Sequence, residues 1–166
     1  HSMGAAIALT AALERYSWLA GIAMIGGASK MNVNDAILDG LQNSFEQTID
    51  NIIKYSWYKD TGSFFKQKAK QRMLEAGSKV VHDDFYACSR FDLTDKLADI
   101  DTPALVIASD YDRMVPLNVS QEMAGQLTGS IFIGLENCGH FQHIEQTGKV
   151  ANEISSFLLH LRELGS

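Results

Sequence analysis

Three short stretches of the sequence hold side chains able to do nucleophilic chemistry. The stretch His1-Ser2-Met3-Gly4 matches the last four positions of G-x-S-x-G, and Ala5 continues it into a run of small, helix-forming residues. A serine held on a sharp turn between strand and helix needs neighbours with little side chain, so that its hydroxyl stays exposed and the helix packs close to the strand. The start of the helix aims backbone N–H groups and a partial positive charge at the reacting centre, which makes the Met3 amide the candidate donor to an oxyanion.

The second stretch runs from Leu105 to Pro116, an apolar strand that ends in a turn with Asp110 and Asp112. The carboxyl ends of strands in open parallel sheets are where ligands and catalytic groups gather. The third is Glu136-Asn137-Cys138-Gly139-His140, again just past a strand. A histidine there can take a serine proton while a carboxylate fixes its tautomer. Asp112 and His140 stand 28 residues apart, room for one helix and one strand. Asp110 competes with Asp112 for the acid's role, although an aspartate in a turn often does no more than cap it. Cys138 suits packing beneath the histidine loop better than nucleophilic attack, and no histidine has metal-ligand spacing.

Serine, aspartate and histidine in this order resemble the nucleophile elbow, acid turn and histidine loop of the α/β-hydrolases, over nearly the whole chain. Asp112-Arg113-Met114-Val115-Pro116 is similar to the end of that family's G-x-x-D-x-x-V-P pattern, with Ser109 in the place of the glycine. The resemblance implies Ser2, Asp112 and His140 as catalytic residues, with Met3 at the oxyanion site. It implies an α/β fold, here the C-terminal part of an α/β-hydrolase beginning at the serine, with parallel strands flanked by helices and a helical cap inserted between them. The first glycine of the elbow, the strand beneath the serine and the loop of the second oxyanion donor would then precede His1.

The hydropathy pattern supplies elements to position these groups. Residues 4–16 read as a tightly packed helix, and 19–25 as a short buried strand stopped by Gly26-Gly27. Ile37, Leu38, Leu41, Phe45, Ile49 and Ile52 recur every three or four positions, predicting one amphipathic helix after Asn34. Phe65, Ala69, Met73 and Leu74 mark a second helix, and Asp83 or Asp84 can cap a third, short one carrying Phe85 and Cys88. An α/β rhythm returns with a helix capped by Asp92, a strand at 104–108, a helix at 117–127, a strand at 131–135 and a closing helix with Val150, Ile154, Phe157, Leu158 and Leu161. The expected division is core at 1–28, helical cap at 29–89 and core at 90–166, with three parallel strands in all. Phe45, Trp57 and Phe65 are the cap aromatics expected to line a substrate site, although most such residues form the cap's own core.

With 46% hydrophobic and 20% charged residues the chain reads as globular, and a net charge of −6 with scattered basic residues argues against nucleic acid as a partner. Two cysteines without C-x-x-C spacing fit a reducing compartment, so a cytoplasmic location is expected. No apolar run approaches the roughly 20 residues that span a bilayer.

The expected chemistry is hydrolysis of an ester-like bond in a small or medium apolar substrate through an acyl-serine, with no cofactor implied. Lactone, thioester, amide or carbon–carbon bond hydrolysis and perhydrolysis use the same three residues, and a binding protein that kept only the pocket is the alternative from another class. The first strand would be a raw sheet edge, so the expected partner is the missing N-terminal half of the fold or a self-association that covers the edge. Alone, the chain is expected to be inactive.

Overall fold

The computed structural model describes residues 1–164, with side chains to 163. Helix α1 (Met3–Leu13) owes its packing to alanine: Ala5, Ala6, Leu9 and Ala12 are buried, and so thin a face lets it lie close on the neighbouring strand. That strand, β1 (Ile22–Ile25), pairs in parallel with β2 (Ala104–Ser109), which pairs in parallel with β3 (Ile131–Leu135). The sheet order β1-β2-β3 gives the three parallel strands expected from the sequence.

Every residue of β2 is buried, as a central strand covered on both faces requires. Val106 packs toward Leu9, Met24, Met123 and Leu127, the side of α1 and of α6 (Leu117–Gln126). Leu105 and Ile107 face the opposite way, onto Ile25, Leu135, Val150 and Phe157, the last two on α8 (Thr147–Leu164). A short helix, α7 (Gln142–Glu145), precedes α8 and was not anticipated.

Between the isolated antiparallel bridge Lys30–Asp92 and its flanking segments lie four helices. They are α2 (Asp35–Asn43), α3 (Phe45–Ser56), α4 (Ser63–Ala76) and α5 (Ser78–Arg90). They have a core of their own, with Leu41, Ile49, Ile52, Trp57 and Val81, and meet the rest of the protein through Met114, Phe141 and Ile144.

Three expectations are corrected here. The single helix after Asn34 is two helices, broken at Ser44 (φ −148°, ψ 51°); folding back brings Thr48 against Gly40, a position with no room for a side chain. Asn34 does cap α2, its Oδ1 accepting from the Ala36 amide at 2.9 Å. Asp83 and Asp84 cap nothing: α5 starts at Ser78, because Gly77 at φ 85° ends α4, and both aspartates lie inside α5. The segment after Asp92 is a 3-10 turn, Thr94–Asp99, with Asp92 accepting from the Thr94 amide at 3.0 Å.

Candidate active site

Ser2 immediately precedes α1 and lies beside the carboxyl end of β1, its amide donating to the Ile25 carbonyl at 2.9 Å. Its backbone is held at φ 52°, ψ −119°, a conformation that non-glycine residues rarely adopt, so the turn stores strain. Close approach is made possible by the Gly26-Gly27 pair: a Cβ on Gly27 would come within 2.6 Å of the Ala5 Cβ, and one on Gly26 within 3.2 Å of the His140 ring. The Met3 amide opens α1, where no carbonyl of the helix can accept from it.

At the end of β2, Asp112 is almost completely buried and each of its oxygens is assigned. Oδ1 accepts from the amides of Met114 and Val115 at 2.9 and 2.8 Å. Oδ2 faces Nδ1 of His140 at 2.7 Å. An ionised carboxylate only accepts, so His140 donates through Nδ1–H and presents the lone pair of Nε2. His140 follows β3 and is itself buried, its amide donating to the Ser56 carbonyl at 2.7 Å.

Ser2 and His140 border one cavity of about 530 Å³. No hydrogen bond joins them among the described residues, so Oγ and Nε2 both remain open to a third group in that space. Across the cavity the wall is mostly apolar, with Met31, Ile37, Ile52, Met73 and Phe85. Serine, imidazole and carboxylate so disposed can pass a proton from hydroxyl to ring while the carboxylate steadies the cation that forms.

Asp110 takes the other role that an aspartate has in a turn. Its carboxylate accepts from the amides of Asn137 and Cys138 at 3.1 and 3.3 Å and so shapes the loop leading to His140. Cys138 is fully buried, and burial, with Glu145 nearby, pushes its thiol up to about 12. Glu145 ties this loop to the helical segment, accepting from the amides of Tyr58 and Gly139 and from the Thr61 hydroxyl.

The aromatic expectation is corrected: neither Phe45, Trp57 nor Phe65 lines the cavity. Trp57 stacks on Phe141 with ring centroids 4.3 Å apart and so backs the wall that Phe141 forms. Phe45 packs into the helical core, and Phe65 is 46% exposed.

Two residues near the site were not singled out by sequence. Gln142, fully buried, donates through Nε2 to Asp112 Oδ2 at 3.1 Å and to Ser109 Oγ at 3.0 Å, while Ser109 donates to the Gly139 carbonyl. This network fixes the amide's orientation, since the reverse would set its oxygen against the carboxylate. His1 lies with its ring 4.6 Å from that of His140, its Nε2 2.7 Å from the His140 carbonyl. No motif marks Gln142; His1 adjoins the serine, but its type alone does not reveal contact with a loop 139 residues away.

The Alpha/beta hydrolase family profile matches residues 1–153. Monoacylglycerol lipase abhd6-B of Xenopus laevis is 28% identical over 111 residues, 60% of this chain and 33% of that protein. Among solved structures, an esterase from Exiguobacterium antarcticum superposes with a TM-score of 0.86 at 19% identity over 94% of this chain and 63% of its own. The enol-lactonase from Burkholderia xenovorans LB400 does so with 0.89 at 17% over 95% and 63%. The chain thus spans a third of the curated relative's length and somewhat less than two thirds of these structures. Parallel strands between helices, with serine, acid and histidine turns at their carboxyl ends and a family match over 1–153, mark this chain as a member of the α/β-hydrolase family.

Proposed function

We propose that the chain carries the catalytic residues of a serine hydrolase acting on a carboxylic ester of a small or medium apolar substrate. Ser2 Oγ attacks the carbonyl carbon, and Nε2 of His140 accepts its proton. Asp112 holds Nδ1–H and stabilises the imidazolium, while the Met3 amide donates to the oxyanion. The alkoxide leaves with the proton from His140. Water, deprotonated by the same ring, then releases the acid from Ser2.

The observation that carries this reading is the buried 2.7 Å pair of His140 and Asp112, opening onto the cavity bordered by the strained Ser2. The mostly apolar wall favours an acyl or alkyl group, and residues 29–89 act as the cap that closes over it. The lipase and esterase named among the similar proteins support an ester over the other bonds that such residues cleave.

The test uses the protein at its natural full length. A fluorophosphonate probe should label Ser2, as read by peptide mass spectrometry, and p-nitrophenyl esters should be hydrolysed with a burst when deacylation is slow. Probe and ester both ignored by folded protein would leave the pocket as a binding site without turnover.

A further inference from the structure

We infer that the end of the α3–α4 hairpin is a docking surface for an anionic lipid bilayer. Seven of the chain's 14 basic residues but only two of its 20 acidic ones fall within residues 54–79, so this segment is net +5 and the remainder −11. Half of the basic residues, taken above as scattered, thus fall in one continuous stretch of the sequence.

Within the segment Lys70 pairs with Asp50, Arg72 with Glu75 and Lys79 with Asp83. Lys54, Lys59, Lys66 and Lys68 have no carboxylate partner among the described residues. The same end of the hairpin exposes Phe64 by 63%, Phe65 by 46% and Tyr55 by 45%, and α4 has no buried residue. The Asp50–Lys70 pair shows why these groups lie together. The two helices run antiparallel, so counting four and five residues from it toward their connection sets Lys54 level with Lys66 and Tyr55 level with Phe65.

Exposed rings ringed by unpaired ammonium groups suit the headgroup boundary, where aromatics enter the acyl region and lysines meet lipid phosphates. A protein partner with an acidic face would match the lysines but gives no reason for two adjacent phenylalanines in water. The surface also reaches the cavity: the Arg113 guanidinium lies 5.9 Å from the Tyr55 ring centre and lines the same space as Ser2. On α4, Met73 lines that space eight residues beyond Phe65, about 12 Å along the helix. An apolar ester entering from a bilayer at this end would meet the cavity directly, a consequence that rests on the hydrolase reading; docking itself does not.

The experiment is vesicle co-sedimentation of the full-length protein, read without turnover. Vesicles of mixed phosphatidylglycerol and phosphatidylcholine should pellet it at about 0.1 M salt, and binding should weaken toward about 1 M as the screening length falls from roughly 10 to 3 Å. Phosphatidylcholine alone should bind it far less. Phe64→Ser with Phe65→Ser, and separately Lys59→Glu with Lys68→Glu, should each lower the bound partition by about tenfold or more. All four positions are exposed, so the fold should survive, as circular dichroism checks. No binding to anionic vesicles, or binding equal to wild type in both variants, overturns the inference. So does a wild-type dimer that the phenylalanine variant converts to monomer without loss on vesicles, because the surface would then belong to a second copy.

Discussion

His140 and Asp112 meet at 2.7 Å with both side chains essentially shut off from water, and the two other contacts of that carboxylate with backbone come from the turn it begins. Asp112 thereby both shapes its turn and aims the imidazole. Asp112→Asn should separate these roles. The amide oxygen can still accept from Met114 and Val115, so the fold should persist, while an NH₂ group facing Nδ1 and the Gln142 donor favours the wrong tautomer. In the full-length enzyme kcat should fall by roughly 10³- to 10⁴-fold with little change in melting temperature. A loss below tenfold would reassign the acid.

The strained backbone of Ser2 predicts a trade of stability against turnover. Ser2→Ala and Ser2→Gly should both abolish esterase activity. They should differ in stability, since the φ of 52° is disfavoured for alanine but costs glycine nothing: the glycine variant should be more stable than the alanine one by about 1 to 3 kcal/mol in urea. Equal midpoints would mean that the turn relaxes when the hydroxyl is gone.

Gln142 should act on rate rather than on affinity, because it touches Asp112 but not the cavity. Gln142→Leu removes a donor to a buried carboxylate, a loss of about 1.5 to 3 kcal/mol, and so should lower kcat roughly ten- to a hundredfold with KM unchanged. Gln142→Glu should be worse near neutral pH, since a second carboxylate would then face Asp112. A change confined to KM would show that the residue shapes the cavity instead.

The central part of the fold is legible because burial leaves a direct trace in residue type. The run 104–108 is apolar throughout since β2 is covered on both faces, and Ile131–Leu135 appears as read. The break at Ser44 leaves no such trace: Ile37, Leu41, Phe45, Ile49 and Ile52 keep helical spacing across it because both helices bury the same stripe. Only Gly40 hints at the fold-back. At the site, Asp112 and His140 are found by their places after strands, whereas Gln142 has no motif and reaches Asp112 only through the turn from His140 into α7. The cap aromatics fail for a related reason. Ring type predicts burial or contact but not direction, and Trp57 turns toward Phe141 while smaller side chains such as Ile52 and Met73 reach the cavity.

Cys138 is sealed beneath the histidine loop, and burial first, then the neighbouring Glu145 carboxylate, raises its thiol to about 12 from an ordinary value of 9.0. Below about pH 9 the thiol is neutral in both folded and unfolded chains, and its contribution to stability is fully present. Above that the unfolded chain releases the proton while the folded one holds it, so unfolding is favoured progressively until pH passes the folded value. Stability should therefore fall between about pH 9 and 12 by up to roughly 1.4 kcal/mol per pH unit from this group alone. Cys138→Ala should lower stability at neutral pH by leaving a small void, yet show a shallower decline from about pH 8 to 10.5. The slope, not the midpoint, is the readout, since tyrosines and lysines titrate alike in both proteins. Parallel slopes in urea denaturation would mean that Cys138 ionises in the folded protein as readily as in the unfolded chain, and the loop over it would have to open to water.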